Sequence, residues 1–204
     1  MRRSRSPPGR WCDVDRTYLA RMGSQEIELP IVDLGPGKQA ALLMTIDLPV
    51  SVLTRAGREL ADLVRDRQPD IIVTAATLGI PVAIAVAPHL GLDEYVVLQK
   101  SKKWHLRDSP SVEVTSVTTI DAQRLTLDAR RLASINGARI AFVDDVISTG
   151  RSAAAALELL TRHGAQIVSV AALMTEGDDW RSVLGDSADL VQALGRLPAV
   201  TDDF

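Results

Sequence analysis

The sequence predicts an α/β protein with a mostly parallel central sheet flanked by helices, and three observations carry that reading. Short apolar runs rich in Val and Ile recur along the chain, helical stretches separate them, and two runs end in a turn of hydroxyl residues and glycine that leads into a helix. Apolar runs of this length are too short for helices and, without alternation, suit strands buried on both faces. Strands alternating with helices favour right-handed crossovers, with ligand loops at the carboxyl ends of the strands. At 204 residues with 46% hydrophobic content, the chain fits one well-buried domain and is short for two. Aromatics are only 3%, so the core must be Val, Ile, Leu and Ala.

Residues 1–12 carry four arginines and two prolines in the first ten positions and read as a disordered basic tail, because they cannot bury enough surface to order themselves. The single domain is expected over 13–204. A short helix is expected over 13–22, then strands or extended segments over 27–34 and 40–46. Pro49 suits the first turn of a helix whose apolar positions Val52, Leu53, Ala56, Leu60, Leu63 and Val64 fall three and four apart on one face. Residues 70–75, with the β-branched run Ile71-Ile72-Val73, form a buried strand ending at Ala76-Thr77-Leu78-Gly79. A second, nearly all-apolar helix runs from Ile80 and Pro81 to Leu90, with His89 near its end as a cap or surface residue. Residues 95–99 give a third strand. Lys100-Ser101-Lys102-Lys103-Trp104-His105-Leu106-Arg107 follows as a cationic stretch, and alternation at Val112, Val114, Ser116 and Thr118 reads as one arm of a hairpin returning through 123–127.

The most informative stretch is 140–152, Ile-Ala-Phe-Val-Asp-Asp-Val-Ile-Ser-Thr-Gly-Arg-Ser. It reads as a central strand that stops at Asp144 and Asp145, a polar turn, and a helix over 153–160 rich in good formers. A turn entering a helix offers unpaired N–H groups and a positive dipole end to an anion, so the turn is a phosphate cradle with two acids beside it. A nucleoside-triphosphatase strand is the rival reading. It lacks its partner, since no G-x-x-x-x-G-K-[ST] occurs and Gly35-Pro36-Gly37-Lys38 has the wrong spacing and no hydroxyl. Beyond this stretch Gly164 is expected to cap the helix, 166–173 to form a strand, 174–180 to leave the sheet, and 190–194 to be a last short strand.

These thirteen residues resemble the phosphoribosyl pyrophosphate (PRPP) signature of the type I phosphoribosyltransferases, and the order of elements over about 40–195 resembles the adenine and xanthine branch. The resemblance implies a Rossmann-like core with a protruding lid hairpin at about 100–119 and a small hood from about 24–47 and 174–204. It implies that Asp144 and Asp145 engage the ribose hydroxyls directly or through Mg2+, and that Val146, Ile147, Ser148, Thr149, Gly150, Arg151 and Ser152 hold the 5′-phosphate. Ala76, Thr77, Leu78, Gly79 and Lys103 would meet pyrophosphate, with Lys100 and Lys102 as lid cations. Met174, Glu176 and Trp180 would line the base pocket, although Trp180 suits a core plug equally well. Two positions depart from the family: Ser148 stands where some relatives carry an acid proposed as a base, a role serine cannot take, and Arg151 stands where glycine or lysine is commoner. The implied reaction moves the phosphoribosyl group to a ring nitrogen of a purine-like base, releasing pyrophosphate.

Two alternatives stand beside it: a PRPP-sensing regulator without transferase activity, and a transferase for a pyrimidine or unusual heterocycle. A winged helix takes roughly 60 to 70 residues ahead of the domain, against fewer than about 40 here, and the formal charge of −3 does not suggest a nucleic-acid surface. Lone Cys12 excludes an intramolecular disulfide. The opening segment 1–10 has no apolar core of the kind a secretory signal needs, and no stretch approaches the ~18 apolar residues of a membrane span, so a cytoplasmic protein is expected, as a homodimer by the family's habit.

Overall fold

The computed structural model describes residues 16–100, 104–114 and 123–200. The expected basic tail lies outside the described residues. Strand β1 (Thr17–Met22) stands where the sequence suggests a helix over 13–22. Its buried residues Ala20 and Met22 are two apart, the period of a strand, and it pairs antiparallel with β2 (Gln25–Gly35) from Thr17↔Pro30 to Met22↔Gln25. β3 (Lys38–Ala41) completes a three-stranded antiparallel sheet in the order β1-β2-β3.

Helix α1 (Val50–Val64) begins directly after Pro49, and Ala56, Leu60, Ala61 and Val64 are its buried apolar face. Val52 and Leu53 are only half-buried and Leu63 is exposed, so the face is narrower than the spacing suggests. The main sheet contains β4 (Ile71–Ala75), β5 (Tyr95–Leu98), β8 (Arg139–Ile147), β9 (Gln166–Glu176) and β10 (Val191–Leu197), all parallel, in the order β10-β9-β8-β4-β5. Between them lie α2 (Gly79–Val86), the hairpin β6 (Ser111–Val114) and β7 (Gln123–Thr126), the short α3 (Leu132–Ile135), α4 (Arg151–Arg162) and α5 (Asp179–Leu184). α2 passes at Ala87 into a 3-10 turn containing Pro88 and His89, whose capping residue is Gly91.

Strand alternation divides the core between the two faces of the sheet. Val73, Phe142, Val170 and Ala172 join Ala156, Leu159 and Leu160 of α4 and Leu125 of the hairpin. Ile72, Val143, Ala171 and Leu173 join Leu60 of α1, Val82 and Val86 of α2, and Met22 and Leu29 of the antiparallel sheet. Both faces are therefore covered, which is why the strands read as continuous apolar runs. The antiparallel sheet is tied to the sheet edge by Gly23 N–H donating to Leu194 O at 2.9 Å.

Candidate active site

From β4 the chain proceeds to β5 on one side, and from β8 to β9 and β10 on the other. The carboxyl ends of β4 and β8 therefore flank the point where strand order reverses, the place open α/β sheets bind ligands. β8 runs on through both acids to Ile147 instead of stopping at them, because Asp144 and Ile147 still pair with Ala172 and Thr175 of β9. Asp144 is buried, at 8% exposure, while Asp145 is half-buried. Asp144 Oδ1 accepts the Asp145 N–H at 3.1 Å. Burial, followed by the neighbouring Asp145 carboxylate, holds Asp144 well above the usual carboxylate range, and the Lys100 ammonium pulls the other way.

The turn after β4 closes on this acid. A Cβ at Gly79 would stand 2.2 Å from Thr74 Oγ1 and 2.6 Å from Asp144 Oδ1, so only glycine lets the start of α2 lie against the carboxylate. Thr74 is fully buried, and its hydroxyl has no partner among the described residues. The Ala76–Thr77 peptide is cis, Thr77 is exposed, and Leu78 O accepts the Thr45 hydroxyl at 2.6 Å. The Ala76 N–H, expected to meet pyrophosphate, donates here to Leu98 O at 2.9 Å, so sheet pairing occupies that donor.

After β8, Ser148 and Thr149 lead to Gly150, which at φ +76° caps α4 without any side-chain capping bond. The first-turn N–H groups of α4 are thus left to a ligand. Asp144, Val146, Ile147, Ser148, Thr149, Gly150 and Ser152 line a pocket of about 100 Å3 here, and Arg151 is the half-buried first residue of α4. Lys100 is exposed at the end of β5, and Lys102 and Lys103 lie outside the described residues.

The structure buries two of the three expected base-site residues. Met174 is fully buried, and Trp180, at 3% exposure, takes the core-plug alternative that the sequence leaves open. β9 extends to Glu176 instead of releasing residue 174, because Met174 remains between Val146 and Gly195 in the sheet. Trp180 donates from Nε1 to Gly177 O at 3.2 Å, and its backbone lies 3.0 Å from where a Gly150 Cβ would be. It plugs the core and supports the 148–150 turn from behind. Glu176 is half-buried and accepts the Ser148 hydroxyl. Asp178, exposed, is held by Arg196 and Arg181, which keeps its carboxyl below the usual range, the Arg196 bond first. Sequence reasoning missed Thr45, Thr74 and Arg196. Only Thr74 left a signal, a hydroxyl inside the apolar run 71–75.

A family model described as the phosphoribosyl transferase domain matches residues 51–190. The chain is 33% identical over 155 residues to the hypoxanthine/guanine phosphoribosyltransferase of Methanococcus voltae, covering 76% of each chain. It is 27% identical over 177 residues to the purine biosynthesis transcriptional repressor PurR of Bacillus subtilis, covering 81% of this chain but 61% of that repressor. Among solved structures, the adenine phosphoribosyltransferase of Rhodothermus marinus shares the fold with a TM-score of 0.60 at 20% identity, covering 89% of this chain and 93% of that one. The signature strand, its uncapped helix start and the second turn closed on Asp144 lie within the matched region, and the chain belongs to the phosphoribosyl transferase domain family.

Proposed function

We propose that the protein transfers the 5-phosphoribosyl group of PRPP to a ring nitrogen of a purine base, releasing pyrophosphate and forming a nucleoside 5′-monophosphate. The observation that supports this reading is the close approach of Gly79 to the Asp144 carboxylate, where an added Cβ would stand 2.6 Å from Oδ1, so that the turn after β4 lies beside the acids and the 146–152 pocket. Such an arrangement suits one substrate carrying phosphate at one end, hydroxyls in the middle and pyrophosphate at the other. Residues 146–152 hold the 5′-phosphate, Asp144 and Asp145 accept from the ribose hydroxyls, and the 77–79 turn with Lys100, Lys102 and Lys103 receives pyrophosphate. As the C1′–O bond breaks, positive charge grows on the ribose and negative charge on the leaving group. Preorganised dipoles and cations aimed at the leaving group supply most of the rate enhancement.

Among the described residues no cluster of three His, Cys, Asp or Glu side chains could cage a metal. Two adjacent carboxylates, one of them buried, instead fit Mg2+ carried on phosphate and ribose oxygens. Bound there, Mg2+ would neutralise charge on the leaving pyrophosphate. A homodimer and a cytoplasmic setting belong to the same reading, and among the described residues no helix is long and apolar enough to cross a membrane.

The test is to incubate the protein with PRPP, Mg2+ and a panel of purines and pyrimidines. Pyrophosphate and nucleoside monophosphate should appear in equal amounts with at least one purine. The likeness to a repressor favours a second reading, a PRPP sensor. PRPP binding without turnover of any base, together with retention of DNA in gels, would overturn the transferase reading in its favour.

A further inference from the structure

Among the described residues, Ser148 and Glu176 form the one polar side-chain contact that joins the phosphate turn to the base end of the site. The sheet register brings them together. Ile147 and Thr175 are partners in β8 and β9, so the next residues along, Ser148 and Glu176, face each other just past the last pair. Glu176 is held on its other side by its pairing with Leu197 of β10, and the Gly177 N–H donates to Leu197 O at 3.2 Å. Ser148 also lines the pocket of about 100 Å3 with Thr149, Gly150 and Ser152.

A serine hydroxyl has a single proton to donate, whereas an ionised carboxylate only accepts. Here that proton goes to Glu176 Oε2. A phosphate in the pocket is a second anion asking for the same proton, next to a carboxylate that repels it. We propose that Ser148 is a positioning residue shared between these two anions. It holds Glu176 against the turn in the ligand-free protein, and it gives its proton to phosphate when phosphate arrives, which frees the Glu176 oxygens to accept from the base. The proposal rests on the reading of residues 146–152 as the phosphate site and adds a coupling to it: phosphate at the turn releases Glu176 for the base, and by reciprocity a base held by Glu176 frees Ser148 for phosphate. It also gives a physical use to the serine that replaces an acid of some relatives, since an acid there would face Glu176 as a like charge.

The experiment is a double-mutant cycle read by calorimetric titration with ribose 5-phosphate. Glu176→Ala should tighten binding by roughly tenfold, the size of one lost competing hydrogen bond to a charged group. In a Ser148→Ala background the same change should alter affinity by less than about threefold, because no shared proton is left to release. Ser148→Thr, which keeps the hydroxyl, should restore the tenfold effect. Glu176→Gln keeps the shape and an acceptor but removes the charge, and should fall between wild type and Glu176→Ala. Equal tightening in the wild-type and Ser148→Ala backgrounds would show that Glu176 acts as a bare charge through space and would overturn the proposal while leaving the phosphate pocket intact. Failure of wild type to bind ribose 5-phosphate would overturn the pocket reading and the proposal together.

Discussion

Asp144 concentrates the tension of the site in one side chain. It lies in a strand, at 8% exposure, with Asp145 beside it, and its carboxyl is held well above the usual range chiefly by burial. Below the ordinary carboxylate pKa of about 4 it is protonated in both folded and unfolded chains and costs nothing. As pH rises past that point the unfolded chain ionises first, so stability falls until the raised folded pKa is passed. Asp144→Asn should therefore raise the melting temperature of the ligand-free protein at neutral pH, by about 2 °C or more, with the advantage closing near pH 4. The same variant should lose about 10² to 10³ in turnover, the size of one lost preorganised contact in the transition state. Melting curves across pH beside pyrophosphate release check both; a destabilised variant at pH 7 would contradict the burial argument. Asp145→Asn, at the half-buried neighbour, should lose turnover with a smaller change in melting.

The phosphate turn leans on α5, because Gly150 at φ +76° leaves no room for a side chain against Trp180. Gly150→Ala should cost about 1 to 2 kcal/mol for the left-handed backbone and weaken ribose 5-phosphate binding in titrations, while far-ultraviolet circular dichroism stays unchanged. If the stretch 100–119 is a lid over pyrophosphate, trypsin cleavage at Lys102 and Lys103 should slow when PRPP and Mg2+ are present, and equal rates with and without ligand would count against it. The strands of the main sheet, α1, α2 and α4 are legible because their burial pattern is written in apolar spacing. β1 escapes a sequence reading because residues 17–22 alternate weakly, Tyr18 being half-buried and Leu19 59% exposed, and only pairing with β2 decides the period. Trp180 is ambiguous in sequence because its role depends on Gly150, thirty positions earlier. The fate of the Ala76 N–H is hidden for the same reason: Leu98, its acceptor, belongs to the next strand.

Over the whole molecule, the proposed base end of the site is the carboxyl end of β9 beside β10. The resemblance to the adenine and xanthine branch implies that a xanthine enzyme would place a lysine just after the acid that matches Glu176, and here that position is Gly177. The fold supplies a reason for its absence. Gly177 sits at φ +57°, its N–H is bound to Leu197 O, and a Cβ there would stand 3.1 Å from the Ala199 methyl. A lysine at this position would strain the backbone and push against the segment following β10, so position 177 itself presents no cation. Beside it stands the Glu176 carboxylate, an acceptor that matches the amino group of adenine. Adenine should therefore be turned over faster than xanthine or any pyrimidine in pyrophosphate-release assays. Glu176→Gln should narrow that preference, since the amide both donates and accepts, with the ratio of kcat/KM for adenine and xanthine falling by about tenfold. A wild-type preference for xanthine or a pyrimidine would mean that backbone groups, rather than Glu176, read the base.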